Sequence, residues 1–332
     1  MNIQGFDIQI KHIDIAASIS CNLKCKMCGY REVVINDKGL KKEDILRMLS
    51  EAKELGLESI AFSGGEVLLR SDIFEIVSFA KELKIGEISI VTNGTLVTEE
   101  NTRRLIECGA TDFHVSLEGM EPVNDYLRGE DTFKKSINAI KIFKEYEGRI
   151  SIHTNTVISR LNYRTLFEFT RYVYEELGVR SITYSPLNTD MMGSNLEKYR
   201  DELVVQPYEI PAVTEEIQKI ISYSRQKGIC FQPESYLSRI PDFFAGKRLI
   251  PRQPCHIPLE YLGIDSCGNV FPCWSEYLCV GNITKSSLTD IVSSETFLKL
   301  CEKALAKKCK GCLVSCYSYV YEEQTQGEVE CV

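Results

Sequence analysis

Apolar positions along the first two thirds of the chain follow two alternating periods. Short β-branched or apolar runs occur at His12 to Ala17, Ser59 to Ser63, Glu87 to Thr92, Asp112 to Leu117, Ile150 to Ile158 and Ser181 to Tyr184, each with the length and composition of a strand. Between them apolar residues recur at helical spacing. From Lys42 to Leu55, for example, Ile45, Leu46, Met48, Leu49 and Ala52 form one stripe, the mark of a helix covering a core. Similar segments run from Asp72 to Leu83, Glu99 to Cys108, Thr132 to Tyr146 and Tyr163 to Leu177. Six βα units in a row predict a parallel sheet with right-handed crossovers. In a parallel barrel, functional residues gather at the carboxyl ends of the strands.

Composition narrows the class. With 332 residues the chain can bury one large α/β domain and a smaller one. Its 44% hydrophobic and 26% charged residues are those of a globular protein. The net charge of -8 comes without a basic block, which argues against a nucleic-acid partner. No apolar run reaches the roughly 20 residues of a membrane span, and the start, MNIQGFDIQIKHIDIAA, lacks the basic-then-apolar layout of a signal peptide. The expected location is cytoplasmic, without membrane attachment. Fourteen cysteines in such a compartment point to metal or cluster ligation, because thiols there stay reduced. Three lie within residues 21–28, Cys108 and Cys230 stand alone, and the others fall from Cys255 to Cys331. Two metal-binding regions follow.

The first region is CNLKCKMC, with Cys21, Cys25 and Cys28 just after the first strand. Three thiolates leave one iron of a 4Fe–4S cluster open, whereas clusters that only carry electrons have four cysteine ligands. The residues alone also suit a zinc knuckle or three buried thiols. Other polar runs end the later strands: Ser63-Gly64-Gly65-Glu66, Thr92-Asn93-Gly94-Thr95, Ser116 in VSLEG, and Asn155. A glycine pair lets backbone approach a ligand closely, and equally makes a tight turn.

The cysteine spacing, followed one strand later by SGGE, resembles the radical S-adenosylmethionine (SAM) family. The resemblance implies an α/β fold, a partial (β/α)6 TIM-like barrel, in which the amino and carboxylate groups of SAM chelate the fourth iron of a cluster held by Cys21, Cys25 and Cys28. An electron from that cluster breaks the sulfonium C–S bond and releases a 5′-deoxyadenosyl radical. By the same resemblance Met27 packs on the adenine, Gly64, Gly65 and Glu66 meet the amino group, Asn93 lines the cofactor, and Ser116, Asn155 and Arg160 surround its ribose and carboxylate. Glu118 departs from the family pattern, where many relatives have Asp.

The second region reads PCHIPLEYLGIDSCGNVFPC, in which Cys255, Gly268 and Cys273 form C-x12-G-x4-C, with a distant CxxC at Cys309 and Cys312. Asp265 to Asn269 is a turn between two β-rich runs. Two cysteine pairs also suit a zinc ribbon. The arrangement resembles the twitch and SPASM extensions of radical SAM enzymes, a small β-hairpin plus helix that binds an auxiliary cluster. It implies one auxiliary 4Fe–4S cluster on Cys255, Cys273, Cys309 and Cys312, while Cys279, Cys316 and Cys331 leave a second open. The expected division is a barrel over 1–230, a bridging segment over 231–254 and the extension over 255–332. The segments Asn188 to Pro211 and Gln232 to Pro254 show no family pattern.

The resemblance implies an oxidoreductase that abstracts hydrogen from a peptide or small-molecule, sugar-type substrate and uses the auxiliary cluster for oxidation or cross-linking. Its partners would include a flavodoxin or ferredoxin-type electron donor. Only twenty residues precede Cys21, which points away from maturases that carry their own leader-binding domain. One alternative is an epimerase with Cys230, in the apolar run Gly228 to Phe231 expected as a strand, as hydrogen donor. Another, of a different class, is a non-catalytic iron–sulfur electron-transfer protein.

Overall fold

The structure, a computed structural model, describes residues 1–29, 39–229, 231–251 and 253–315; Cys230, Cys316 and Cys331 lie outside the described residues. Six parallel strands appear where the apolar runs placed them: β1 His12–Ser18, β2 Ser59–Gly64, β3 Glu87–Thr92, β4 Asp112–Ser116, β5 Ser151–Ile158 and β6 Ser181–Pro186. They lie side by side in chain order, joined by helices Lys42–Glu54, Ile73–Glu82, Glu99–Cys108 and Thr132–Lys144. A short ribbon pairs Asn2–Ile3 with Phe6–Asp7 ahead of β1.

Strand alternation divides the sheet into two faces. On the outer face Ile13, Ile15, Ile60, Phe62, Ile88, Ile90, Phe113 and Val115 are at most 1% exposed. They pack under the helical stripes that include Ile45, Met48, Leu49, Ile76 and Val77. Each such burial stabilises the fold by about 1.5–3 kcal/mol before entropy is counted. The inner face instead carries His12, Asp14, Ser59, Asp112, His114, Ser116, His153 and Asn155, a polar lining.

Beyond β6 the chain returns to the opposite edge. β7 (Tyr261–Ile264) pairs parallel with β1, His12 opposite Tyr261; β8 (Asn269–Phe271) and β9 (Gly281–Asn282) continue antiparallel. The extension thus shares one nine-stranded sheet with the barrel. Its turn is built as the residues imply: the Asp265 carboxylate accepts from the backbone N–H of Cys267 and Asn269 at 2.9 and 2.8 Å, and Gly268 takes φ +84°. Helices Leu288–Val292 and Glu295–Leu305 follow, capped by Ser287 and Ser294.

Ile210–Lys227, which begins where the stretch without a family pattern ends, is an 18-residue helix burying Val213, Ile217, Ile220 and Ile221. Two expectations are corrected. Gly228, expected to open a strand, is the left-handed C-cap of that helix at φ +65°, and neither Ile229 nor Phe231 joins a strand. Also, Tyr163 to Leu177 is not one regular helix. A 3₁₀ turn, the helix Leu166–Arg171 and a π turn over Tyr172–Glu176 succeed one another.

Candidate active site

The cysteine loop leaves the carboxyl end of β1 and is gripped by the end of β2. Gly65 and Glu66 donate their N–H groups to Ser18 and Ser20 carbonyls, both at 2.7 Å. A Cβ on Gly64, at φ +122°, would lie 2.3 Å from Ser18 O, and one on Gly65 only 2.2 Å from Ser20 O. The glycine pair therefore serves close approach to the chain entering the cysteine loop. Any side chain there would push that loop away.

Glu66 is 1% exposed. Its Oε1 accepts from Thr92 Oγ1 at 2.7 Å and Leu68 N at 3.1 Å, and its Oε2 from Asn93 N at 2.8 Å. Burial pushes its carboxyl above the usual range against the pull of those bonds. The carboxylate expected to meet an ammonium thus ties the end of β2 to the end of β3. Asn93 carries the tie onward: its Nδ2 donates to Asn22 Oδ1 at 3.0 Å, inside the cysteine loop.

The other side of the loop rests on helix Glu121–Arg128 and the segment after β6. Lys26 N–H donates to Leu127 O, Gly29 N–H to Met191 O, and Asn195 Nδ2 to Cys28 O at 2.8 Å. Met27 packs with Leu127, Leu187, Met192 and Leu203 in a small apolar cluster. Cys21 and Cys25 are half-buried and Cys28 is exposed. Burial pushes the Cys25 thiol up to about 11; the Arg128 guanidinium pulls it down, and the charges of Cys28, Glu118 and Cys21 push it up. The three thiols are near enough to act on one another.

Arg128 is a site residue that the sequence pattern did not reveal. Its Nε donates to Glu118 Oε1 at 2.9 Å and its Nη2 to the same oxygen, while Glu118 Oε2 accepts from Val157 N at 2.6 Å. Glu118 is fully buried. Nine residues separate the partners, and Arg128 closes helix Glu121–Arg128 without belonging to any sequence motif, so nothing local announces the pair. It holds a positive charge beside Cys25 and Cys28, as the charges of both acting on Arg128 show.

Ser116 and Asn155 are register partners on the inner face, and Asn155 hydrogen-bonds His114. Arg160 is turned elsewhere: its nitrogens donate to Glu209 at 3.1 Å, Asp201 O at 2.5 Å and Tyr208 Oη at 2.6 Å. Deeper in the lining the His114 and His153 rings stack at 4.2 Å, and His153 meets Asp112 at 3.2 Å and Ser181 at 2.7 Å. Burial, reinforced by His153, pushes His114 down to about 4.

In the extension Cys255, Cys273, Cys309 and Cys312 line one small cavity walled by Ile257 and Leu300. Burial pushes the Cys255 thiol up to about 11, with Cys273 and Cys309 adding to it. Four thiols facing one apolar space fit a closed cluster, which gives each thiolate its own iron. Among the described residues no three His, Cys, Asp or Glu groups converge closely enough for a single ion. The other described cysteines are placed differently. Cys279 is exposed with its Sγ on Gly281 O at 3.3 Å, Cys301 is 1% exposed in the core, and Cys108 ends its helix against the core.

A barrel of parallel strands with a three-thiol loop at its carboxyl rim defines a radical SAM enzyme. The Radical SAM superfamily profile matches residues 17–173, and that of an iron–sulfur cluster-binding domain, SPASM, matches residues 255–313. The chain belongs to the radical SAM superfamily and carries a C-terminal SPASM-type extension. Its cofactors are SAM and 4Fe–4S clusters. Among curated relatives, a probable GTP 3′,8-cyclase of Saccharolobus islandicus is 30% identical over 60% of this chain and 65% of its own length. One from Methanococcus maripaludis is 35% identical over 35% of this chain and 39% of its own. The match thus spans less than two thirds of those relatives. The Streptococcus suis protein SuiB bound to S-adenosylmethionine superposes with a TM-score of 0.68 at 19% identity, over 96% of this chain and 75% of that one. Native anSMEcpe with bound AdoMet and a peptide superposes with a TM-score of 0.69 at 19% identity, over 97% of this chain and 93% of that one. At these identities the likeness is one of fold. No helix among the described residues is long and apolar enough to cross a membrane.

Proposed function

We propose that the chain is a radical SAM oxidoreductase that takes hydrogen from a peptide or a small polyhydroxyl substrate and passes an electron onward from the substrate radical. In this reading Cys21, Cys25 and Cys28 hold the cluster that binds SAM, and Cys255, Cys273, Cys309 and Cys312 hold the auxiliary one. When bound, the first cluster and SAM supply the 5′-deoxyadenosyl radical. The chain's own residues do the rest: Gly64, Gly65, Glu66 and Asn93 fix the loop, Arg128 holds charge beside it, and the inner strand face receives the substrate. A flavodoxin or ferredoxin-type protein is the expected electron donor. The barrel, bridge and extension divide near residues 230 and 254.

The observation that carries the reading is the set of four thiols lining one cavity on the same sheet as the open three-thiol loop. A closed cluster there serves electron transfer. The inner positions of β1 to β7, from His12 and Asp14 to Tyr261, include no lysine or arginine. Binding a triphosphate calls for such cations, so this lining favours a substrate without one over the GTP of the curated relatives.

The test is 5′-deoxyadenosine release under dithionite with GTP, aminosugars and lysine- or cysteine-containing peptides as candidate substrates. Stimulation by a peptide or aminosugar, with a product two mass units lighter, is the expected result. Stimulation by GTP alone, or a product of unchanged mass that gains one deuterium in D₂O, would contradict the reading.

A further inference from the structure

The polar inner face and the four-thiol cavity meet at Tyr261. It is 2% exposed and its ring stacks on His12, with centroids 5.7 Å apart and planes 12° from parallel. Its hydroxyl donates to Asp14 Oδ2. Asp14 Oδ1 lies 2.9 Å from His12 Nε2, and His12 Nδ1 lies 2.6 Å from Ser59 Oγ. From the other side the indole N–H of Trp274, the chain's single tryptophan and the neighbour of Cys273, donates to the same Tyr261 hydroxyl.

This contact is built into the strand. The indole covers Gly263, where a Cβ would sit 2.3 Å from the ring, so β7 leaves room for it only because that residue is glycine. Tyr261 and Trp274 then pack with Cys255, Cys312, Ile257 and Val314. An unbroken hydrogen-bonded chain runs from Ser59 through His12, Asp14 and Tyr261 to Trp274, which lies in the chain between the cavity-lining residues Cys273 and Ser275. At the inner end the side chains of His12 and Asp14 are 30% and 19% exposed. Other charged groups face the pair: Glu87 from β3 acts on His12, and His114 from β4 feels Asp14, with the His153–Asp112 pair behind it.

We propose that electron uptake at the auxiliary site is coupled to proton uptake by the His12–Asp14 pair, with Tyr261 and Trp274 as the positioning residues that connect them. This rests on the reading that the four cysteines hold a 4Fe–4S cluster. If Cys255, Cys273, Cys309 and Cys312 hold a 4Fe–4S cluster, its one-electron reduction would be accompanied by uptake of one proton at the His12–Asp14 pair, so that the negative charge added to the site is compensated by one positive charge. Burial would lower the His12 pKa, but the hydrogen bond and charge of Asp14, with Glu87, outweigh it and raise it above the ordinary value.

The test needs no substrate. In the reconstituted enzyme, the auxiliary signal is the EPR signal that SAM leaves unchanged, and its midpoint potential is followed from pH 6 to 8.5. One proton per electron is a tenfold change in the reduction equilibrium per pH unit, 59 mV for a one-electron couple. A slope approaching that value in the wild type, and a flat profile in Asp14→Asn, is the expected result. Tyr261→Phe, which keeps the ring, and Trp274→Phe, which keeps an aromatic but smaller side chain, both break the chain and are expected to reduce the slope. A flat wild-type profile, or a slope that all three variants retain, would overturn the coupling. Absence of any SAM-insensitive signal would instead overturn the ligand assignment beneath it.

Discussion

The Glu118–Arg128 pair gives the sharpest energetic expectation outside the clusters. Glu118→Gln keeps the shape of the side chain and one acceptor for Val157 N–H, but it removes the only negative charge hydrogen-bonded to Arg128 among the contacts described above. Glu118 is 0% exposed and the Arg128 side chain 12%, so little water can replace the lost partner. Breaking one side of a buried pair costs about 3–5 kcal/mol. Glu118→Ala adds an unpaired Val157 N–H, worth about 1–3 kcal/mol more. The double variant Glu118→Leu/Arg128→Met removes both charges and is expected to recover most of the loss. The assay is urea unfolding of the cluster-free chain, under argon with reductant, followed by circular dichroism and analysed for the midpoint at constant slope. A loss below about 1 kcal/mol in both Glu118 variants would place the pair among solvated surface pairs and refute the reasoning.

Other expectations follow from single contacts. Cys25→Ala is expected to abolish 5′-deoxyadenosine formation under dithionite; retention of that product would remove Cys25 from the cluster. Gly65→Ala places a Cβ 2.2 Å from Ser20 O, so it is expected to displace the cysteine loop and lower iron content after reconstitution, and wild-type iron would contradict the packing argument. Glu66→Ala orphans Asn93 N–H and the Thr92 hydroxyl, so urea unfolding of the cluster-free chain is expected to show a stability loss of about 1–3 kcal/mol; an unchanged midpoint would sink it. His114 titrates near 4 when folded and near 6.5 when unfolded. Between those values the unfolded chain binds a proton that the folded one refuses, so stability falls by about 1–3 kcal/mol as pH drops through that window. His114→Gln is expected to flatten this fall, and an equally steep fall in the variant would exclude His114 as its source.

Much of the barrel was legible because its strands and helices obey period rules over many residues. His12 to Ser18 and Glu99 to Cys108 repeat one burial pattern along their length, and a mis-set boundary costs little. Helix Ile210–Lys227 keeps helical spacing at Val213, Ile217, Ile220 and Ile221, but it starts with a proline at its second position and carries four glutamates or glutamines along its length, which thin the apolar pattern. The site was legible where chemistry demands a spacing: the four extension cysteines line one cavity. It was illegible where roles depend on tertiary direction. Glu66 and Arg160 have the charge for a ligand, yet one is turned into the fold and the other toward Glu209. Arg128 and Trp274 work through partners far away in sequence and carry no local signature.

The central claim, a SAM-binding cluster on the barrel and a separate closed cluster on the extension, is tested most directly by iron and acid-labile sulfide analysis. Wild-type chain and the Cys21→Ala/Cys25→Ala/Cys28→Ala variant would be reconstituted side by side without oxygen. The account predicts about eight irons per chain for the wild type and about four for the variant, on the rule of one four-iron cluster per ligand set. No iron in the variant, or one zinc per chain in its place, would contradict it.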